Sequence, residues 1–312
     1  MRILVTGGAG FIGSHLTARL VDRGHDVFVL DNLSTGTMKN LSHIQSRQNL
    51  KVLRADIRWI PRSFLRRIRR IDGVCHLAAM TSVQESVKNP VPTTEVNLIG
   101  TLRVLEAARK LSAQRIVYGS SAAVYGTPRS FPITEDADMA PISPYGSSKA
   151  ASELYCKAFE ENHGIEVISL RYFNVYGPRQ ASSQYSGVIS IFARKLLRRV
   201  PLTIFGDGSQ SRDFVFVVDA IDGTIAALER ESLQSRVFNI ATGKEATILK
   251  LARMMQETAG ASSDLYFKPP RKGDVRRSVA DIARAQDELG FRPATDLRDG
   301  LSATIQWFAH KK

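Results

Sequence analysis

The side chains of Tyr145 and Lys149 have the types and the spacing of an acid–base centre. They lie four positions apart at the predicted start of a helix, so one turn brings both to the same face. An ammonium beside a phenol favours the phenolate and lowers the tyrosine pKa from about 10 toward neutrality, as a general base requires. Ser121, at the end of a predicted strand, can hydrogen-bond the same substrate oxygen. Because Tyr-x-x-x-Lys is a frequent accident on helices, its meaning depends on the elements around it.

A glycine-rich stretch at residues 7–13, with the letters GGAGFIG, is typical of a dinucleotide-binding loop. An apolar strand over 2–6 precedes it, and an amphipathic helix over 12–23 follows. The early glycines let the backbone turn tightly and approach a pyrophosphate, and Gly13 lets the helix pack close to the sheet. The helix N-terminus favours an anion through its unpaired N–H groups and its dipole. We therefore predict that this end of the chain binds a dinucleotide.

Asp31 ends the second predicted strand, over residues 26–31. A carboxylate at this position can accept both ribose hydroxyls of NAD but would repel the 2′-phosphate of NADP. No arginine follows at once, since Asn32-Leu33-Ser34 comes next. NAD is therefore favoured over NADP. The alternative is that Asp31 caps a helix or makes a turn.

Composition indicates an ordinary soluble globular protein of 312 residues, with 43% hydrophobic and 23% charged residues. No apolar run approaches the ~20 residues that span a bilayer. The chain begins with a core strand rather than a cleavable signal, so we expect it in the cytoplasm, with no membrane partner. Cys75 and Cys156 are the only cysteines, and we expect both to be reduced and structural.

A formal charge of +13 raises the possibility of nucleic-acid binding. The densest basic cluster, at residues 58–70, alternates arginines with apolar residues at helical spacing. That pattern is typical of a surface helix with a solvated basic face. We expect no nucleic-acid partner, whereas a basic surface does fit an anionic substrate.

Strand and helix patterns alternate along the first 175 residues, which predicts an α/β fold with a doubly wound parallel sheet. The predicted strands cover residues 2–6, 26–31, 50–55, 73–77, 115–119 and 166–171. Helices are predicted over 58–70, 96–112 and 147–163, and later over 188–199, 248–259 and 301–309. We expect a cofactor domain over 1–174 and a smaller α/β substrate domain over 175–312. One strand, near 236–240, is expected to return to the large sheet, so the domains interleave.

With these motifs in order, the chain resembles the extended short-chain dehydrogenase/reductase family, and within it the NAD-dependent nucleotide-sugar epimerases and dehydratases. The resemblance covers essentially the whole length. It rests on TGGAGFIGSH from Thr6, Asp56-Ile57, HLAA from His76, VNLIGT with Asn97, SSAAVYG from Ser120, SPYGSSK from Ser143, RYFNVYGPRQ from Arg171 and GDGSQSRDF from Gly206. It implies a Rossmann-type domain, a tightly held NAD and a nucleoside diphosphate sugar in the cleft.

The resemblance also implies roles for individual residues. The adenine is expected beside Asp56-Ile57, and the nicotinamide beside Tyr145, Lys149 and Phe173. The whole set implied for the cofactor is Gly7, Gly10, Phe11, Ile12, Gly13, Asp31, Asn32, Ser34, Gly36, Asp56, Ile57, Leu77, Ala78, Ala79, Asn97, Ser120, Tyr145, Lys149 and Phe173. A homodimer is implied, joined through the helix after Asn97 and the helix that carries Lys149.

For the substrate, the resemblance places the diphosphate between Arg212 and Arg271. Two guanidinium groups can neutralise a diphosphate without a metal, and no cluster with metal-ligand spacing is apparent. The whole set implied for the substrate is Ser121, Asn174, Val188, Phe205, Arg212, Arg271, Asp274 and Ser278.

In this family, the pair of residues that directly follows the active-site serine differs between enzymes with different activities. Dehydratases carry Asp-Glu there and decarboxylases carry an acid, whereas this chain has Ala122-Ala123. Since methyl groups cannot move protons, the resemblance implies a 4-epimerase of UDP-hexoses that acts through a transient 4-keto sugar. Tyr145, Lys149, Ser121 and NAD suffice for that reaction.

The sugar is less defined than the reaction. Ser278 stands where strict glucose/galactose enzymes have a bulky tyrosine, and a small residue leaves room for an acetamido group. UDP-GlcNAc and UDP-GalNAc are therefore expected to be tolerated. A UDP-glucuronate 4-epimerase or another nucleotide-sugar epimerase is the alternative among enzymes, and an NAD-binding regulatory protein is the alternative outside them.

Overall fold

The computed structural model describes residues 1–180, 187–270 and 275–310. Its strands are β1 (Arg2–Thr6), β2 (Asp26–Asp31), β3 (Leu50–Arg54), β4 (Gly73–His76), β5 (Arg115–Ser121), β6 (Glu166–Tyr172), β7 (Asn174–Tyr176), β8 (Leu202–Phe205), β9 (Ser211–Phe216), β10 (Val237–Ile240), β11 (Glu245–Thr247) and β12 (Leu265–Lys268). Seven of them form one sheet in the order β10-β6-β5-β4-β1-β2-β3. Every pairing in this sheet is parallel. This order, with its reversal between β1 and β4, confirms a Rossmann-type doubly wound fold.

The helices are α1 (Phe11–Asp22), α2 (Arg62–Ile68), α3 (Val83–Lys88), α4 (Pro90–Thr94), α5 (Gly100–Lys110), α6 (Pro144–His163), α7 (Val188–Leu197), α8 (Val217–Glu229), α9 (Ile248–Ala259), α10 (Ala283–Leu289) and α11 (Leu297–His310). Successive side chains of β1 bury on opposite faces of the sheet. Ile3 and Val5 pack in the cluster that includes α1 and α8, whereas Leu4 packs in the cluster that includes α5. The strands therefore read as continuous apolar runs because helices cover both faces.

The helix predicted over 147–163 begins at Pro144, those over 12–23, 188–199 and 301–309 are shifted or changed at their ends, and two others differ from the prediction in kind. The basic segment over 58–70 is a 3-10 turn at Ile57–Trp59 followed by α2, because Pro61 in extended conformation separates them. The segment over 96–112 begins with a π-helical turn, Glu95–Ile99, before α5. π-helical turns are frequent at functional sites.

The chain after β6 builds a second core around α7, α9 and α11. A three-stranded sheet, β11-β9-β7, and the pair β12-β8 belong to this part. Strand β10 pairs with β6 in the large sheet, so the chain crosses between the two parts. Among the described helices, none has the length and the apolar character that a bilayer span demands.

Candidate functional site

The glycine loop between β1 and α1 is packed so closely that side chains do not fit. A Cβ on Gly13 would lie 2.0 Å from the Gly7 carbonyl oxygen, and one on Gly7 would lie 2.8 Å from the Ala78 nitrogen. Gly7 also has φ +70, in the region that favours glycine. The first turn of α1 thereby lies directly over the end of β1. This cradle fits a pyrophosphate against a helix N-terminus.

Asp31, at the end of β2, fixes the loop through both of its carboxylate oxygens. One oxygen accepts the Ala9 N–H at 2.9 Å, and the other accepts the Leu33 N–H at 2.8 Å. The turn-making role that the sequence left as an alternative is therefore present. Each carboxylate oxygen keeps a second lone pair, so these bonds are compatible with ribose hydroxyls as further donors.

Asp56 and Ile57 follow β3, at the same edge of the sheet. The Asp56 carboxylate accepts from Arg58 Nε at 3.0 Å and from Asn32 Nδ2 at 3.0 Å. The hydrogen bond from Arg58 is the largest influence that lowers the pKa of Asp56 to about 2. Ile57 is buried against Gly100, whose added Cβ would lie 2.5 Å from Ile57 Cδ1. Ser34 and Gly36 lie in the loop after β2, where a Cβ on Gly36 would lie 2.8 Å from the Ala9 carbonyl carbon.

Tyr145 and Lys149 lie on helix α6, near the carboxyl end of β5. Its cap is Ser143, whose hydroxyl accepts the Gly146 N–H at 3.1 Å. Tyr145 and Lys149 are both buried, and the Lys149 ammonium donates to the Gly119 carbonyl at 2.7 Å. Ser121 ends β5, and its hydroxyl group hydrogen-bonds the Tyr145 side chain. The structure thus brings together the three residues that the sequence singled out for proton chemistry.

The predicted fall in the pKa of Tyr145 is wrong. Burial raises the pKa of Tyr145, and the hydrogen bond with Ser121 opposes that rise only in part. Burial also lowers the pKa of Lys149 to about 8. The sequence prediction considered only the attraction between the two groups, whereas the cost of burying either charge is the larger effect.

Asn97 connects α6 to the loop after β4, which contains Leu77, Ala78 and Ala79. Its side chain accepts the Met80 N–H at 2.8 Å and donates to the Met80 carbonyl at 3.0 Å. It also donates to the Ser148 hydroxyl at 3.1 Å. These bonds hold Ser148, the residue before Lys149, against the loop after β4, and Ala78 of that loop lies next to Gly7. The Asn97 side chain thus holds α6 and the loop after β4 together.

Two residues that hydrogen-bond members of the site were not predicted from the sequence. The Ser86 hydroxyl accepts the Tyr145 N–H at 3.1 Å, and it lies 59 positions away along the chain. Glu153 accepts a hydrogen bond from the Ser120 hydroxyl, so that the Ser120 side chain faces the protein interior. A signal for Glu153 exists, since it follows Lys149 by four positions on α6. No local signal identifies Ser86.

Of the residues implied for the substrate, Ser121 ends β5 in the large sheet, and the other described ones lie in the chain after β6. Phe173, implied for the nicotinamide, is buried between β6 and β7. Asn174, implied for the substrate, begins β7 and donates to the Asp213 carbonyl at 3.2 Å. Arg212 lies in β9, and Phe214, two residues further along the same strand, pairs with Asn174. The remaining described members are Val188 at the start of α7, Phe205 at the end of β8 and the buried Ser278. Arg271 and Asp274 lie outside the described residues.

Comparison with known proteins places these features in a family. A model of the NAD dependent epimerase/dehydratase family matches residues 3–241. The putative UDP-glucose 4-epimerase of Methanocaldococcus jannaschii is 40% identical over 306 residues, which cover 98% of this chain and 97% of that protein.

Solved structures agree over the whole chain. The UDP-N-acetylglucosamine 4-epimerase of Methanobrevibacter ruminantium, in complex with UDP-N-acetylmuramic acid, has a TM-score of 0.94 at 36% identity and covers 100% of this chain and 99% of that chain. The UDP-glucuronic acid 4-epimerase of Bacillus cereus, in complex with UDP-glucuronic acid and NAD, has a TM-score of 0.93 at 34% identity and covers 100% of both chains. With its glycine cradle, its buried Tyr145 and Lys149, and these matches, the chain belongs to the NAD dependent epimerase/dehydratase family.

Proposed function

We propose that this protein is a 4-epimerase of UDP-hexoses, with UDP-glucose and UDP-galactose as substrates and UDP-GlcNAc and UDP-GalNAc tolerated. The observation that carries the proposal is the group Ser121, Tyr145 and Lys149, followed by methyl side chains at Ala122 and Ala123. A site of this kind can move one proton at one hydroxyl. It lacks the additional acid that elimination of water would require at these two positions.

The residues divide the work as follows. Ser121 orients the C4 hydroxyl, and Tyr145 takes its proton and later returns it to the 4-keto oxygen. Lys149, one helical turn from Tyr145, supplies the positive charge that offsets the burial cost of the phenolate. The glycine loop and Asp31 would hold NAD, which would supply reversible hydride transfer at C4. No other redox partner is needed.

The other predicted residue roles stand as part of this proposal. Most of the implied cofactor residues lie at the carboxyl ends of β1 to β6 or in the loops that follow them, which is where doubly wound sheets bind ligands, and the others lie on α1, on the π-helical turn before α5 and on α6. We also propose the division into a cofactor domain over 1–174 and a substrate domain over 175–312, and a cytoplasmic location.

The test is interconversion without added cofactor. Purified protein is incubated separately with UDP-glucose, UDP-GlcNAc and UDP-glucuronate, and products are separated chromatographically from their C4 epimers. Interconversion of UDP-glucose or UDP-GlcNAc supports the proposal. Conversion of UDP-glucuronate alone would favour the second candidate, which the similarity to the Bacillus cereus enzyme supports. No conversion, even with NAD supplied, would refute both.

Ser278→Tyr is expected to reduce turnover of UDP-GlcNAc relative to UDP-glucose by about tenfold, the lower end of what steric selection in a pocket achieves. Ser278 is buried, so the larger ring must displace volume within the site. The measurement is the ratio of kcat/KM for the two sugars. Ser302→Tyr, on α11 and outside the predicted sugar pocket, is the control for a general effect of the ring. An unchanged ratio in Ser278→Tyr would contradict the pocket assignment.

We also propose that the protein forms a homodimer through α5 and α6. Exposed apolar side chains gather on α6 and on the segments that contact it, and we call them the α6 patch: Val87, Val91, Ile99, Leu154 and Tyr155. The side chains of Val87, Val91 and Leu154 are 62%, 65% and 59% exposed, an unusual cost for three apolar residues unless another surface covers them.

Leu154→Glu is expected to weaken self-association by at least about tenfold, because it places a charge within a buried apolar interface. Light scattering after size exclusion, over a range of protein concentrations, measures the mass. Tyr266→Glu, at a residue 58% exposed on β12, is the matched control and should leave the mass unchanged. A wild-type monomer at all concentrations would refute the dimer.

A further inference from the structure

A buried ion pair lies next to Ser121 and Lys149 of the proposed active site. Glu153 on α6 and Arg171 on β6 form it at 2.7 Å, with both side chains 5% exposed. Arg171 also donates to the Glu135 carbonyl at 2.8 Å and to the Tyr125 hydroxyl at 3.0 Å. A buried pair of this kind is weak support for stability, since desolvation of the charges offsets much of their attraction. Stability alone therefore does not account for this ion pair.

Each member of the pair is adjacent to a residue of the proposed active site. Glu153 accepts from the Ser120 hydroxyl, and Ser120 precedes Ser121 in β5. Glu153 also follows Lys149 by one helical turn, on the same face of α6. The pair therefore joins the end of β5, the middle of α6 and the end of β6 in one hydrogen-bonded unit.

The other titratable groups near Lys149 are neutral, so Glu153 is the group that opposes deprotonation of Lys149. Tyr118 on β5 lies with its ring 4.9 Å from the ammonium, and burial raises the pKa of Tyr118, so it is neutral. His76 on β4 is also neutral, because burial lowers its pKa to about 3. On α6 itself, burial raises the pKa values of Tyr145 and Cys156, so that neither carries a negative charge near pH 8. Among the described residues that influence Lys149, the Glu153 carboxylate is thus the charged one.

We propose that Glu153 is a positioning residue of the epimerase site: it anchors the end of β5 beside Ser121 and keeps Lys149 in its ammonium form. Arg171 holds the carboxylate in place and keeps it ionised. This inference rests on the proposed function, since it assigns Glu153 a part in the same proton transfer.

The sign of the expected pH effect follows from the active form of Lys149. Activity requires the ammonium, so the basic limb of the pH profile reports loss of its proton. Glu153 favours the proton, and its removal moves that limb to lower pH. In Glu153→Gln we expect the basic limb of kcat to move down by about one pH unit, a usual effect of one nearby charge. KM should change little, because Glu153 does not touch the substrate.

Two further variants separate this role from a structural one. Glu153→Gln/Arg171→Met removes both charges and avoids an unpaired buried guanidinium. Its limb should move in the same direction but less far, because the positive charge that opposes the ammonium is lost as well, and its unfolding midpoint should recover. Glu153→Asp keeps the charge and should keep the limb of the wild type, even where its shorter reach lowers kcat. Glu166→Gln is the matched control, since it breaks the ion pair with Arg115 at the other end of β5 and β6. It should lower the unfolding midpoint without moving the limb.

The measurement is the pH dependence of kcat and of KM for all variants, with cofactor content and unfolding midpoint recorded for each. If the wild-type protein is active and the basic limb does not move in Glu153→Gln or in the double variant, the inference is overturned and the proposed function is left intact. A wild-type protein that converts none of the UDP-sugars would instead refute the proposed function.

Discussion

Tyr145→Phe is expected to lower kcat for 4-epimerisation by about 1,000-fold while NAD stays bound. The phenol is buried and hydrogen-bonded to Ser121, and it is the group to which the proposed function assigns the proton of the C4 hydroxyl. General acid–base groups contribute about 100- to 10,000-fold, so loss of the hydroxyl alone removes an effect of this size. The ring is retained, so the packing around Tyr145 should not change.

The assay measures turnover of the UDP-sugar that the wild type converts fastest, together with cofactor content after denaturation of the protein. Tyr266→Phe is the control, because it removes a phenolic hydroxyl from an exposed residue of β12. A Tyr145→Phe protein with activity near that of wild type would refute the assignment of the general base. Loss of NAD in the same variant would show that the defect lies in cofactor binding.

Gly13→Ala is expected to weaken NAD binding by at least about tenfold, equivalent to about 1.4 kcal/mol of binding free energy, and so to lower NAD content after purification. The added Cβ would lie 2.0 Å from the Gly7 carbonyl oxygen, a backbone atom that cannot rotate away. The start of α1 must then move, and with it the N–H groups that face the pyrophosphate. A lower unfolding midpoint is expected as well.

Gly24→Ala separates these two effects. Gly24 has φ +81 and nothing within 4 Å of an added Cβ, so alanine there is strained but meets no neighbour. We expect a stability loss of about 1 kcal/mol with NAD content unchanged. If Gly13→Ala kept its NAD, the cradle would not be the pyrophosphate site.

Local sequence patterns were enough to predict the bounds of the first two strands. Strands β1 and β2 have the bounds that the apolar runs predict, because buried parallel strands require continuous apolar side chains. Helix α9 also matches its prediction, since its apolar face repeats with helical period and Gly260 in the left-handed region ends it. The spacing of Tyr145 and Lys149 likewise placed both on one face of α6.

Other features depend on segments that meet only in the folded chain. The π-helical turn before α5 was not predicted, because the same apolar and polar pattern suits a regular helix. The pKa of Tyr145 was predicted in the wrong direction, because its value depends on how much water the fold excludes.

The sequence by itself predicted the alternation of strands and helices over the first 175 residues, the glycine loop between β1 and α1, and the shared helix face of Tyr145 and Lys149, because each depends on neighbours within a few positions. Tertiary structure decided how those residues are charged and held. Ser86 reaches Tyr145, and Arg171 reaches Glu153, only because strands and helices distant in sequence pack side by side. Burial and long-range hydrogen bonds arise from that packing, and no local pattern encodes them.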